Sequence, residues 1–168
     1  ATNKKMIMYV ISESNSGNVV KTNDTVKNNL RTWINKNKMI SDKIEIRDTK
    51  IINIGFNFSF TVEANYDYLT VLANVKGALA DKYSEKFYIG EPFYITEIYK
   101  TVNRIDGVID TIYVEPLVFS GGQYSPVNVM VDSLKSPDGT YLKTPKNCIL
   151  EIKNFSDVVK GTVIQWQF

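Results

Sequence analysis

Ile51-Ile52-Asn53-Ile54-Gly55-Phe56-Asn57-Phe58-Ser59-Phe60-Thr61-Val62 is the stretch whose pattern sets the fold. Ile52, Ile54, Phe56, Phe58, Phe60 and Val62 share one parity, and Asn53, Gly55, Asn57, Ser59 and Thr61 share the other. Successive strand side chains point to opposite faces, so this alternation predicts one long strand with an apolar and a polar face. The apolar face is the floor expected beneath helices. The polar face is expected to be the exposed side of the sheet.

Working outward, Met6 to Ile11 is apolar on both parities, the pattern of a strand covered on both faces. Ser12 to Gly17 is a polar turn. Thr22 or Asn23 can cap a helix reaching about Lys38, with Val26, Leu30, Trp33 and Ile34 as its apolar stripe. Ile44 and Ile46 begin an extended run with a kink near Asp48-Thr49. Beyond the long strand, a helix over about Tyr66 to Tyr83 carries Tyr68, Leu72, Val75, Leu79 and Tyr83. Gly77 within it predicts close packing onto the sheet, since glycine costs about 1 kcal/mol there relative to alanine. A third helix is expected to start at Glu91-Pro92, bury Ile95, Ile98, Val102 and Ile105, and stop at Gly107. Val108, Ile112 and Val114 begin a further strand ending near Pro116.

After Pro116 the chain is punctuated by Ser120-Gly121-Gly122, Pro126, Pro137-Asp138-Gly139 and Thr144-Pro145. Short strands are expected at Val127–Val131, Cys148–Ile152 and Val163–Phe168, with no helix, and Pro137-Asp138-Gly139 reads as a hairpin turn. The expected fold is therefore α+β. Residues 1–116 form a ferredoxin-like β-α-β-(β)-α-α-β core with helices on one face of an antiparallel sheet. Residues 117–168 form a small all-β C-terminal extension.

Composition narrows the function. The 168 residues include 43% apolar and 23% charged side chains, which is globular composition with enough chain for one good core. The net charge of +2 and the lack of any Lys/Arg cluster argue against nucleic acid as a partner. No apolar run approaches the roughly 18–20 residues that span a bilayer. Histidine is absent, which removes every site built on an imidazole base or ligand. The single cysteine, Cys148, lies in an apolar run and reads as a buried small hydrophobe. Asp106-Gly107 and Asp138-Gly139 lack the successive oxygen ligands of a calcium loop. Ser84-Glu85-Lys86 and Ser133-Leu134-Lys135 lack the spacing of a Ser–Lys nucleophile. No enzyme activity, cofactor, metal or small-molecule substrate is expected.

Gly55-Phe56-Asn57-Phe58-Ser59-Phe60 invites comparison with the aromatic strand of an RNA-recognition motif, the alternative reading. The details disagree. Ile54 stands where a basic residue belongs, and the three Phe share the face that must lie under the helices. Tyr is abundant, and Tyr is favoured at interfaces. Tyr94, Tyr99, Leu117, Phe119, Trp166 and Phe168 are the candidate interface residues.

Several phrases carry a family resemblance: MIMYVISES from Met6, LRTWINKNKMISDKIEI from Leu30, IINIGFNFSFTVEANYD from Ile51, GEPFYITEIYKTVNRIDGVIDTIYV from Gly90 and PKNCILEIKNFSDVVKGTVI from Pro145. Together they resemble baseplate J-like proteins of contractile phage tails, most closely the T-even-type wedge subunits. The resemblance implies a structural virion protein of the tail baseplate, assembled in the host cytoplasm. Such a protein forms a homodimer, joins other wedge subunits in a ring around the tail hub, and rearranges to trigger sheath contraction. It implies no catalytic residues. Family members are much longer, and with no initiator Met the chain reads as a C-terminal fragment.

Overall fold

A computed structural model describes residues 4–40 and 42–165. In chain order the elements are β1 (Lys5–Val10), β2 (Ser12–Glu13), β3 (Val19–Val20), α1 (Asp24–Asn37), β4 (Lys43–Asp48) and β5 (Lys50–Val62). Next come α2 (Tyr68–Lys82), β6 (Phe93–Tyr94), α3 (Ile95–Asn103), β7 (Val108–Phe119) and α4 (Val131–Leu134). The chain continues through β8 (Tyr141–Leu142), β9 (Cys148–Glu151), α5 (Phe155–Val158) and β10 (Val159–Ile164). The fold is mixed α+β.

The alternating stretch is β5, and it is the axis of the molecule. One edge pairs antiparallel with β7, from Asn53 opposite Phe119 to Val62 opposite Val108. The other edge is shared by two strands running parallel to β5. β9 pairs with Lys50–Asn53, and β10 pairs with Phe56–Thr61. The sheet is therefore mixed, not the antiparallel sheet expected. The segment after Pro116 is likewise not purely β. It contributes β9 and β10 to the central sheet and includes the short turns of helix α4 and α5. Residues 127–130 are irregular where a strand was expected. Pro116 is tolerated inside β7 because β7 is an edge strand.

The apolar face of β5 behaves as its parity dictates. Ile52, Ile54, Phe56, Phe58 and Phe60 are fully buried beneath α2 and α3, against Val71, Val75, Leu79, Ile98 and Val102. The Phe58 and Phe60 rings stack 5.9 Å apart, and Phe56 meets Phe93 at 6.0 Å. Gly161 of β10 lies opposite Phe58, and a methyl group there would come within 2.5 Å of the ring. The missing side chain is what lets Phe58 lie against the neighbouring strand.

The polar face is not exposed as expected: Asn53, Ser59 and Thr61 are also buried. Flanking strands crowd both edges, and α5 and the end of β7 cross above Gly55, where a methyl would collide with Val158 and the Phe119 ring. Alternation correctly gives a strand with one apolar face. It does not report that a later segment covers the other.

Two helix details also differ. α2 begins at Tyr68, with the Asp67 side chain accepting from the Thr70 N–H. Its buried positions are Val71, Val75 and Leu79, while Tyr68 stays exposed. Gly77 faces solvent with open space around it, so the close packing expected there is absent. Phe93-Tyr94 pairs with β8 as a two-residue strand, which delays α3 to Ile95.

These glycines predict opposite outcomes. Gly77→Ala should stabilise the protein by about 1 kcal/mol, because it adds helix propensity without a clash. Gly161→Ala should destabilise it by about 1–3 kcal/mol through overpacking against Phe58. Denaturant midpoints of both variants check the pair of signs.

Candidate interaction surface

Residues 4–48 build an incomplete layer. β1 and β4 pair in parallel, from Lys5 opposite Lys43 to Val10 opposite Asp48, with α1 as the crossover. The Asn23 side chain caps α1 by accepting from the Val26 N–H at 2.8 Å. Lys27, whose side chain is nearly buried, reaches Asp48 of β4 and Asp24 of its own first turn, each at 3.0 Å. This triad fixes α1 over the even face of the ribbon, which carries Met6, Met8, Ile44 and Ile46. The odd face carries Lys5, Lys43, Glu45 and Arg47 together with Ile7 and Tyr9. Glu45 accepts from Lys5 and Arg47, each at 2.7 Å, and these cations hold its carboxyl down to about 2, Arg47 contributing most.

Parallel sheets are normally covered on both faces, and a two-stranded ribbon is marginal alone. Here the apolar residues of the layer are largely uncovered. Met6 is 59% exposed, Trp33 64% and Met39 76%, with Ile7, Val26 and Ile40 also exposed. The expectation that Met6 to Ile11 would be covered on both faces fails for β1 in this chain alone. The α1 stripe is rotated as well. At about 100° per residue, Ile34 and Lys27 point one way while Val26 and Trp33 lie about a quarter-turn aside. Only Ile34 of that stripe is buried. The helix is broader in its apolar surface than two strands can cover.

The named interface residues that the structure describes differ in their surroundings. Tyr94 is half-exposed and faces Tyr141 with ring centroids 5.6 Å apart. Tyr99 packs inward, and its hydroxyl accepts from the Val114 N–H at 3.1 Å. Leu117 and Phe119 are partly buried on β7, with the Phe119 ring 5.3 Å from Tyr124. Tyr99 and Phe119 thus serve packing within the chain. Trp166 and Phe168 lie outside the described residues. Met6, Ile7 and Trp33 were missed as surface residues, because a strand apolar on both parities and an amphipathic helix both read as core, and Met39 and Ile40 follow the helix outside any periodic pattern.

The chemistry elsewhere is sparse. A cleft of about 590 Å³ is lined by Val62, Glu63, Ala64, Tyr66, Tyr68, Ile109 and Gln165. Glu63 is the one carboxylate among the described residues that line it, and these form no converging pair of the kind glycoside chemistry needs. Among the described residues no group of three or more His, Cys, Asp or Glu is placed to hold a metal ion. Cys148 is buried, and burial pushes its thiol pKa up, away from nucleophilic character. The Pro137-Asp138-Gly139 turn forms as expected, with Asp138 accepting from Ser136 and Thr140. No helix is long and apolar enough to cross a membrane among the described residues. No protein-family model matches the chain, and no curated protein matches it.

The Lys27 triad predicts an acid-sensitive layer. Its hydrogen bonds to Asp24 and Asp48 hold both carboxyls below their ordinary range. A depressed folded-state pKa contributes stability above the unfolded value of about 3.9, and that contribution fades as pH falls through the lowered value. Amide resonances of α1 and β4 should therefore lose dispersion below about pH 4 before those of β5. Lys27→Ala should loosen the same amides at neutral pH and remove most of this acid dependence.

Proposed function

We propose that the chain is a structural assembly module, a subunit of a contractile-tail phage baseplate wedge. It self-associates as a dimer and joins other wedge subunits in the ring around the tail hub, which rearranges to trigger sheath contraction. The observation that carries the reading is the set of uncovered apolar side chains on the β1–α1 layer, Met6 on the even face of the ribbon, Ile7 on the odd face and Trp33 on α1. Large apolar side chains left in water mark association rather than catalysis, and they occur on this layer as well as at Leu69, Ile109, Ile112 and Met130. The family resemblance supplies the identity of the assembly and its place in the virion tail.

The finer ferredoxin-like description draws support from α2 and α3 lying on one face of β5 and β7. The parallel pairing of β9 and β10 departs from that arrangement. The RNA-binding alternative requires an exposed Phe56 or Phe58, and both rings are fully buried.

Light scattering across a concentration series tests the association. The expected result is a dimer or larger species that Trp33→Glu combined with Ile7→Lys converts to monomer without loss of helical circular dichroism. A strict monomer at high concentration overturns self-association through this chain. RNA affinity that falls steeply with salt would favour the alternative.

A further inference from the structure

We propose that residues 4–48 are a hinged arm, pivoting between Thr49 and Lys50 and latched to the core through Glu151. The inference rests on contacts within the chain and does not require the baseplate reading. The apolar core begins at Ile52, and no earlier residue belongs to it. Within the arm Ile34 of α1 is buried, while Val19 is buried where the hairpin meets Glu151. At the junction, consecutive backbone groups serve different bodies. The Thr49 N–H donates to Val10 of the arm at 3.1 Å, and the Lys50 N–H donates to Asn147 of the core at 2.9 Å. The Thr49 hydroxyl is buried without a hydrogen-bond partner, an unsatisfied polar group at the pivot.

Among the described residues, two polar contacts join the arm to the rest of the chain, and both come from the β2–β3 hairpin. The Val19 N–H donates to Glu151 Oε2 at 2.6 Å, and the Lys86 ammonium meets Glu13 at 2.9 Å. The first is buried and polarised in one direction. Glu151 Oε1 accepts from the Asn53 amide at 2.9 Å, and Asn53 Oδ1 accepts from the Ser125 N–H at 2.7 Å. Every position in this chain of bonds is fixed as donor or acceptor, so Glu151 must offer two acceptors. A glutamine would set an NH₂ against either the Val19 N–H or the Asn53 amide. Release of the hairpin would return one carboxylate oxygen to water and leave the Asn53 side of the network intact. The arm can therefore open while β5, α2 and α3 keep their packing.

Hydrogen exchange read by mass spectrometry on the full chain tests this. In the wild type, β1, α1 and β4 should exchange through one shared opening, faster than β5, α2 and α3. Glu151→Gln should speed arm exchange roughly ten-fold and leave α2 and α3 unchanged. Lys86→Glu, which breaks the ion pair with Glu13 of the arm, should speed exchange of the hairpin and arm, and Glu13→Lys in the same chain should restore it. This charge swap decides the matter if Glu151→Gln also loosens β9 or fails to fold. Exchange of arm and core at one common rate, or a Lys86→Glu variant with unchanged arm exchange, would overturn the proposal.

Discussion

Along most of its length β5 has no free edge and no free face. β7 takes one edge, β9 and β10 divide the other, two helices cover the Phe face, and α5 with the end of β7 covers Gly55 on the opposite side. β7, β9 and β10 pair with this strand directly, and α5 packs against it. The aromatic ladder Phe56, Phe58 and Phe60 requires a neighbour without a side chain at Gly161 and a helix face of small branched residues at Val71 and Val75. Satisfying Asn53 on the covered face requires the carboxylate of Glu151, which β9 brings into register beside it.

The same register couples core to arm. Glu151 sits at the end of β9 because Leu150 must face the core, and its side chain then emerges on the opposite face beside Asn53 and Val19. One carboxylate thus satisfies a buried amide of the central strand and a backbone donor of the N-terminal hairpin. The layer beyond that hairpin has a parallel ribbon, one helix and a partly charged outer face, and it leaves large apolar side chains in water. Its composition suits a surface that is finished by association, which is the physical basis of the assembly reading.

The sequence has no histidine, the Cys148 thiol is buried, and Glu63 is the one carboxylate among the described residues that line the 590 Å³ cleft. The acidic side chains are instead engaged in capping, turns and ion pairs, as at Asp67, Asp138 and Glu45.

Local pattern alone determined the long strand, the burial of its Phe face, the α1 cap region, the Asp138 turn and the apolar setting of Cys148. Each follows from side-chain periodicity or turn chemistry acting within about ten residues. The tertiary structure decided what partners those elements meet. Parity cannot report that residues 148–164 return to pair parallel with β5 and close over Asn53, because that pairing joins positions about a hundred residues apart. Nor can it distinguish an apolar stripe that is buried, as on α3, from one left bare, as at Val26 and Trp33. The pattern gives the face a residue shares, and only the packing of distant segments sets whether anything lies across from it.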